Sequence, residues 1–434
     1  MKPFRFVHTA DLHLDSPFRG LSLPERLRDV VRDASVRVLD RIVRTAIKEQ
    51  ADFVLVCGDV YDAAERSLRA QLQFLKAAEA LADHGIGLFV ICGNHDPEAG
   101  VRGEWRWPDN TRVFTSGEPQ RATALRRDGT PAADVYGVSF RESRETANLA
   151  RRFRPAAGPT DLYRIAMLHC NVDGQEGHDD YAPCRKTELV SAGFDYWALG
   201  HIHSRAVLHE RPWIVYPGNP QGRHAKETGP KGVYVVTVDG GEADLRFEAT
   251  DEVRWLSRDV VLDERATAQD AHERLRTALA LCEAEAEGRS AIVRLHVTAG
   301  GGLARDLGRE ETANELLQEL REERERIWER DPDGRFVWPE RLVLRPSPDS
   351  LRRKEALLAE DSFLGDLVRL ARDLADDEAR RAQFEREALA DMLGAPRFGR
   401  LLGGVPAAER RAWLEEAGEL ALQLLTEGDG RVEH

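Results

Sequence analysis

Residues 53–62 read Phe53-Val54-Leu55-Val56-Cys57-Gly58-Asp59-Val60-Tyr61-Asp62. The apolar run is too short for an ordinary helix and is rich in Val, so it reads as a strand buried on both faces. It stops at a glycine and passes into two acids. The same grammar recurs on either side. Arg5-Phe6-Val7-His8-Thr9 is strand-like and leads to Asp11-Leu12-His13, while Leu88-Phe89-Val90-Ile91-Cys92 runs into Gly93-Asn94-His95-Asp96. Helical patterns lie between them. One extends from about Pro24 to Gln50, with Leu27, Val30, Val31, Ala34, Val38, Ile42 and Ala46 at helical spacing. The other, near Arg66 to His84, places Leu68, Leu72, Leu75 and Leu81 on one face. This β-α-β-α-β order predicts a parallel sheet covered by helices.

Beyond residue 100 the pattern turns β-rich, with strand-like runs at residues 135–138, 165–168, 196–199 and 233–236. A first domain over residues 1–250 accounts for them. Residues 251–348 read as a second, smaller β-α-β-α-β unit. Its strands are at 255–262, 291–298 and 342–344, its helices at 268–287 and 310–329, and Gly300-Gly301-Gly302 is a connecting loop. Residues 349–434 read as helical, with Phe363, Leu364, Leu367, Leu370, Ala371 and Leu374 along one stripe.

At 434 residues the chain exceeds one core of ordinary size. No run of about 18 apolar residues argues for a membrane span. Met1-Lys2-Pro3-Phe4-Arg5 enters a strand without an apolar signal core, and the five cysteines form no CxxC pair. A cytoplasmic, reducing location fits best. The formal charge of −14 is unevenly spread: residues 1–250 hold 33 Lys and Arg against 35 Asp and Glu, and residues 251–434 hold 29 against 41. Acidity in the C-terminal portion neither excludes nor supports a polyanionic substrate near the N-terminal half.

Five strand ends carry Asp11-Leu12-His13, Gly58-Asp59 through Asp62, Gly93-Asn94-His95-Asp96, His169, and Gly200-His201-Ile202-His203. Ligands of open α/β sheets bind at the carboxyl ends of strands, so these residues would converge on one edge. Carboxylate, amide oxygen and imidazole suit Mn, Fe or Zn, and a bridging carboxylate can hold two cations about 3.5–4 Å apart. Each residue has a plainer reading. A lone D-x-H arises often by chance, Asp59 could cap a helix, Asn94 could serve a turn, and His169 could be a core histidine. Five such accidents in this order are much less economical than a metal site. Asp62 stays open between the site and a cap on the following helix. His8, His84, His178, His209 and His224 match no motif position, and Cys57, Cys92 and Cys170 read as small buried residues.

The order D-x-H, G-D-x-x-D, G-N-H-D, H, G-H-x-H resembles that of the calcineurin-like metallophosphoesterases over roughly the first 240 residues. The resemblance implies a four-layer α/β/β/α sandwich, followed by a small α/β cap and a helical tail. It implies that Asp11, His13, Asp59 and His203 hold one metal and that Asp59, Asn94, His169 and His201 hold a second, with Asp59 bridging. His95 would donate a proton to the leaving oxygen, Asp62 would orient it, and water acidified by the cations would attack in line. Ala63-Ala64 and Asp96 stand where the protein phosphatases of this superfamily carry Arg-Gly and Glu. The stretch through Tyr216-Pro217-Gly218-Asn219-Pro220-Gln221-Gly222-Arg223 is similar to SbcD-like DNA repair exonucleases, and within them to the YhaO-type branch. That likeness implies manganese-dependent hydrolysis of DNA phosphodiesters, 3′ to 5′ on ends with endonuclease cleavage as a second mode. It also implies an SbcC-like coiled-coil ABC ATPase partner and a homodimer. A phosphatase or phosphodiesterase acting on a small nucleotide or lipid is the alternative, since fold alone does not give function. A non-catalytic scaffold for the ATPase is disfavoured because every expected ligand and His95 are present.

For DNA contact the local candidates are Arg102, Trp105 and Arg106 in Arg102-Gly103-Glu104-Trp105-Arg106-Trp107. Arginines neutralise phosphates and tryptophans stack on exposed bases. The competing reading is a loop whose tryptophans bury into the core. Arg151, Arg152 and Arg154 form a second basic cluster, which a solvated helix face would equally explain.

Overall fold

The structure is a computed structural model that describes the chain except at residues 15, 17, 19, 20, 22, 63–66, 101–105, 157–160, 176–178, 264, 346, 391–404 and 429–434. Two compact units are present: residues 1–258 with 277–295 and 320–341, and residues 259–276 with 296–319 and 342–434.

The first unit contains β1 (Phe4–Thr9), β2 (Phe53–Cys57), β3 (Gly87–Ile91), β4 (Thr111–Val113), β11 (Gly232–Asp239) and β12 (Glu242–Ala249) in one sheet, ordered β12-β11-β1-β2-β3-β4. β1 to β4 run parallel, and β11 and β12 return antiparallel. A second sheet holds β5 (Gln120–Leu125), β6 (Pro131–Gly137), β7 (Tyr163–His169), β8 (Tyr196–Gly200), β9 (Ala206–Glu210) and β10 (Trp213–Tyr216), ordered β5-β6-β7-β8-β10-β9. Its inner pairs are parallel and its edge strands antiparallel.

Alternation along the buried strands explains why the sheets face each other. Phe6, Phe53, Leu55, Phe89 and Ile91 pack against Val135, Ile165, Met167, Tyr196 and Ala198 of the second sheet. The intervening residues Val7, Val54, Val56, Leu88 and Val90 face α2 (Ala34–Lys48) and α3 (Leu68–Asp83). On the far side, Tyr136, Ala166, Leu168, Trp197 and Leu199 pack with Leu149 and Phe153 and with Leu189 of α4 (Lys186–Ser191). Both faces of both sheets are therefore buried, which gives the expected α/β/β/α sandwich.

The helical stretch from 24 to 50 divides into α1 (Glu25–Arg32) and α2, with Asp33 in a turn between them. The break has a packing cause. Leu27, Val31 and Ala34 join a cluster with Val253, Trp255, Ile292, Phe336 and Trp338, whereas Val38, Leu39, Ile42 and Ala46 pack on the first sheet. One straight stripe does not serve two cores. The short or half-exposed strands β4, β5, β9, β10 and β12 escape the sequence reading because they lack long apolar runs.

β13 (Val253–Val261), β14 (Ser290–Thr298) and β15 (Val337–Arg345) form a three-stranded sheet in that order, with α5 (Ala268–Glu285) and α7 (Glu310–Trp328) in the connections. Two expectations need correction here. The Gly300-Gly301-Gly302 run opens helix α6 (Gly301–Gly308), because Leu303 and Leu307, four apart, share a buried face. The last strand begins at Val337, five residues before the predicted Leu342, its first four residues buried. The chain then forms α8 (Pro348–Ala359), α9 (Phe363–Asp376), α10 (Glu378–Ala388) and α11 (Ala407–Gly428). In α9 the buried line runs through Val368 and Leu374, while Phe363 and Leu370 of the predicted stripe are exposed. Among the described residues no helix is long and apolar enough to cross a membrane.

At the ends of β2 and β8 the backbones of the two large sheets come close together. A Cβ built on Gly200 would lie 1.9 Å from the Cys57 carbonyl oxygen, which is backbone and cannot swing away. Gly200→Ala is expected to cost ~2 kcal/mol or more by overpacking. That should lower the thermal midpoint by roughly 4–8 °C. Gly302→Ala, with only the tip of Arg305 within 4 Å, should be neutral or stabilising by up to about 1 kcal/mol. Differential scanning calorimetry of the two variants checks the contrast; equal midpoints would mean the sheets can separate at Gly200 without cost.

Candidate metal centre

The loops that follow β1, β2 and β3 are laced together by backbone bonds. The N–H groups of Asp11, His13 and Leu14 donate to the carbonyls of Gly58, Asp59 and Val60 at 2.9–3.0 Å. Asp96 closes the lacing: its carboxylate accepts from the N–H groups of Gly93 (2.7 Å), Val60 (2.8 Å) and Asp59 (3.2 Å). Asp11, His13, Asp59 and His201 all have positive φ, at 54°, 42°, 53° and 95°. For non-glycine residues such backbone costs of order 1–3 kcal/mol each and persists where the surroundings impose it. Gly58, at φ 90°, precedes Asp59, and a Cβ there would meet His169 Nδ1 at 2.4 Å.

Among the described residues three groups of ligand-type atoms result, each lying within 4.8 Å of one another: Asp11, His13 and His203; Asp11, Asp59 and His169; and His13, Asp62 and His95. Asp11 belongs to two of them, and its carboxylate also accepts the His201 N–H at 3.1 Å. Asn94 joins through its Oδ1, 3.0 Å from His169 Nε2. His201 lies in none of the three groups; its ring centroid is 5.2 Å from that of His169, and its Nε2 meets the Asp179 carbonyl at 2.8 Å. If that contact is its N–H, Nδ1 is the nitrogen left to coordinate.

The donors fit a cation. His169 Nδ1 meets the Cys57 carbonyl at 3.0 Å and must donate to it, so in the neutral ring Nε2 is a lone pair. That lone pair lies 3.0 Å from one acceptor, Asn94 Oδ1, and 3.4 Å from another, Asp59 Oδ2. Such a cluster is repulsive unless positive charge sits within it. The titration behaviour says the same. Burial alone would lower the His169 pKa, but the charge of Asp59, its hydrogen bond and the charge of Asp11 drive it up to about 9. The Asp11 carboxyl is raised, chiefly by burial, whereas the histidines hold Asp59 well below the usual range against its burial. A field that would protonate a buried imidazole is one that a divalent cation satisfies. On the other side, His13 Nε2 and His203 Nε2 are 3.2 Å apart. His203 Nδ1 meets the Glu227 carboxylate at 2.5 Å, which fixes the proton there and makes Nε2 the coordinating nitrogen.

His95 Nδ1 is 2.9 Å from Asp62 Oδ1. That hydrogen bond, the largest influence on both groups, lowers Asp62 to about 2 and raises the His95 pKa. Asp62 is not the cap of the next helix; Ser67 caps α3, accepting from the Ala70 N–H.

The histidines outside the motifs have local partners. His8 is buried between Tyr196 Oη (3.0 Å) and the Leu199 carbonyl (3.1 Å), and burial lowers its pKa to about 3. His84 and His209 bond to the Ala80 and Pro212 carbonyls, and His178 lies outside the described residues. Of the DNA-contact candidates, Arg102 and Trp105 lie outside the described residues and Arg106 is exposed. The neighbouring Trp107 packs edge-on against Phe74 at 5.8 Å. Arg151 of the second basic cluster is paired with Glu188. Sequence reasoning missed Glu227, Ser16 and Arg223. The last belongs to a stretch quoted only for its likeness to a family.

Glu227→Ala should weaken Mn²⁺ binding about 10–100-fold by loosening the His203 ring. Isothermal titration calorimetry reads this directly, and an unchanged affinity would show that His203 is held without its carboxylate partner.

Comparison with known proteins agrees with this geometry. The family described as calcineurin-like phosphoesterase matches residues 4–205, and the middle domain of metallophosphoesterase YhaO matches residues 255–347. The uncharacterized metallophosphoesterase YhaO of Bacillus subtilis is 38% identical over 377 residues, covering 83% of this chain and 85% of that protein. The SbcD component of the nuclease SbcCD of Escherichia coli is 26% identical over 274 residues, 55% of this chain and 66% of that one. The DNA double-strand break repair protein Mre11 of Thermoplasma acidophilum is 27% identical over 254 residues, 55% and 64% of the two chains. The chain belongs to the calcineurin-like metallophosphoesterases, to their YhaO type, with SbcD and Mre11 nucleases as distant relatives.

Proposed function

We propose that this metallophosphoesterase is a two-metal-dependent DNA phosphodiester hydrolase, a repair exonuclease working 3′ to 5′ with endonuclease cleavage as a second mode. The observation that carries the hydrolytic part is the convergence of buried Asp and His groups from both sheets beside the His95–Asp62 pair. The relationship to SbcD and Mre11 supports DNA as the substrate.

In this reading Asp11, His13, Asp59 and His203 hold one cation. Asp59, Asn94, His169 and His201 hold the other, Asp59 being shared. Manganese is the first choice of metal, with iron or zinc compatible with the same donors. When bound, the cations supply positive charge to the phosphoryl oxygens and acidify the attacking water. The chain's own part is orientation and proton transfer. Asp62 raises the His95 pKa and holds Nδ1, so the protonated ring keeps its other nitrogen to donate to the leaving oxygen. The exposed Arg106, with Arg102 and Trp105, would contact the strand.

Digestion of an end-labelled duplex tests the proposal. Cleavage should require Mn²⁺, stop with chelator, and fall by about 10²–10⁴-fold in His95→Asn. Intact DNA with a chromogenic phosphodiester still hydrolysed would transfer the activity to a small nucleotide or lipid phosphoester. The acidic C-terminal portion, 29 Lys and Arg against 41 Asp and Glu, is the observation that keeps that second reading in play.

The helical tail is proposed to dock on an SbcC-like coiled-coil ABC ATPase, with the chain acting as a homodimer. Co-purification with such an ATPase should be lost on truncation at Ser350. Equal recovery by the truncated protein would place docking elsewhere.

A further inference from the structure

The turn Pro217-Gly218-Asn219-Pro220-Gln221-Gly222-Arg223-His224-Ala225-Lys226-Glu227 supplies no ligand in the reading above, yet it is held from several directions. Asn219, fully buried, donates through Nδ2 to the Gln221 carbonyl at 2.8 Å. Gln221, 2% exposed, donates to the Val253 carbonyl (2.6 Å) and accepts from the Glu252 and Val253 N–H groups (2.9 and 3.2 Å). The Trp255 indole N–H reaches the Gly222 carbonyl at 3.2 Å. At the end of the turn, Glu227 Oε2 accepts the Arg223 N–H at 2.6 Å while Oε1 meets His203 Nδ1.

So anchored, Arg223 sends its guanidinium back across the site. Its side chain is 15% exposed, and Nη1 donates to Ser16 Oγ at 3.1 Å and lies 3.5 Å from Asp62 Oδ2. Ser16, 2% exposed, donates in turn to Asp62 Oδ2 at 3.1 Å. Asp62 Oδ1 is the atom that holds His95 Nδ1. A guanidinium, a hydroxyl, a carboxylate and an imidazole thus stand in one chain, each donor facing an acceptor. The carboxylate matters most. With only His95 on Oδ1, it could rotate about Cβ–Cγ and carry the imidazole with it. Ser16 and Arg223 on Oδ2 remove that freedom, and the largely buried cation gains the anionic partner it needs.

We infer that Arg223 and Ser16 are positioning residues for His95, acting through Asp62. The 217–227 turn links this proton-donor arm to the His203 ligand through Glu227. The inference rests on His95 being the proton donor of the proposed reaction. It does not require that the substrate be DNA.

The test is the kinetics of diphenyl phosphate hydrolysis, whose basic phenoxide leaving group needs a proton donor, at saturating Mn²⁺ for Arg223→Gln, Ser16→Ala, Asp62→Asn and the Arg223→Gln/Asp62→Asn double variant. Arg223→Gln should lower kcat ~10–100-fold with KM changed by less than about twofold, as expected when a reacting group is misplaced. Ser16→Ala should lower kcat in the same direction, and Arg223→Lys should recover part of the loss. In the Asp62→Asn background, Arg223→Gln should cost less than about twofold more, because the two act along one path. Losses that multiply, or a raised KM at unchanged kcat, would overturn the inference and make Arg223 a direct phosphate contact. Mn²⁺ affinity and the thermal midpoint, measured on each variant, identify any that has lost its fold; Ser16→Ala then carries the same comparison. Wild-type turnover of the diester with DNA left intact would remove the DNA substrate and leave the inference standing. Full diester turnover by His95→Asn would remove His95 as the proton donor and overturn the inference with it.

Discussion

The Cys57 carbonyl lies against Gly200 and accepts the His169 Nδ1 proton, and the site depends on that contact. Two sheets packed through side chains sit about 10 Å apart, too far for short Asp and His side chains on both to share a cation. At the ends of β2 and β8, glycines allow the backbones themselves to approach. His169 and His201 of the second sheet thereby stand beside Asp11, Asp59 and Asn94 of the first. The fold elsewhere is an ordinary apolar sandwich; here it trades side-chain packing for proximity.

That proximity has an electrostatic consequence. Asp11, Asp59 and Asp96 are buried almost completely, with His13 and His169 fully so. The protein partly relieves this with backbone N–H donors, three on Asp96, one on Asp59 and one on Asp11, and by setting imidazoles against the carboxylates. What remains unsatisfied points to a cation. Acceptor atoms on Asn94 and Asp59 crowd His169 Nε2, two imidazole Nε2 atoms face each other, and His13 Nδ1 is buried with no hydrogen-bond partner among the described residues. The left-handed backbone at Asp11, His13, Asp59 and His201 belongs to the same economy: strain is tolerated where the interstrand lacing and ligand geometry require it.

Much of this was legible in the sequence because the signals are local. An apolar run of five residues forms a buried strand whatever its partners, and the residues just after it then occupy the sheet's carboxyl edge. Asp11, Asp59, Asn94, His169 and His201 could therefore be placed together without knowing any contact. Their glycines were visible as punctuation, though not their reason, which is the clash a Cβ on Gly200 would make with a residue 143 positions away. Helix breaks and edge strands were less legible. The turn at Asp33 exists because α1 and α2 serve different cores, and β9 and β12 are too exposed to leave an apolar run.

The sequence by itself determined a parallel sheet covered by helices, the convergence of five strand ends and the chemical kind of the site. Each of these follows from short-range periodicity and residue type. Only the tertiary structure decided which groups stand behind the ligands. Glu227 meets His203 across 24 residues, Asp62 meets Ser16 across 46, and Arg223 meets Ser16 across 207. No local pattern marks such partners, because a buried hydrogen bond is selected by where the folded backbone brings a donor. That position is set by the packing of every element in between.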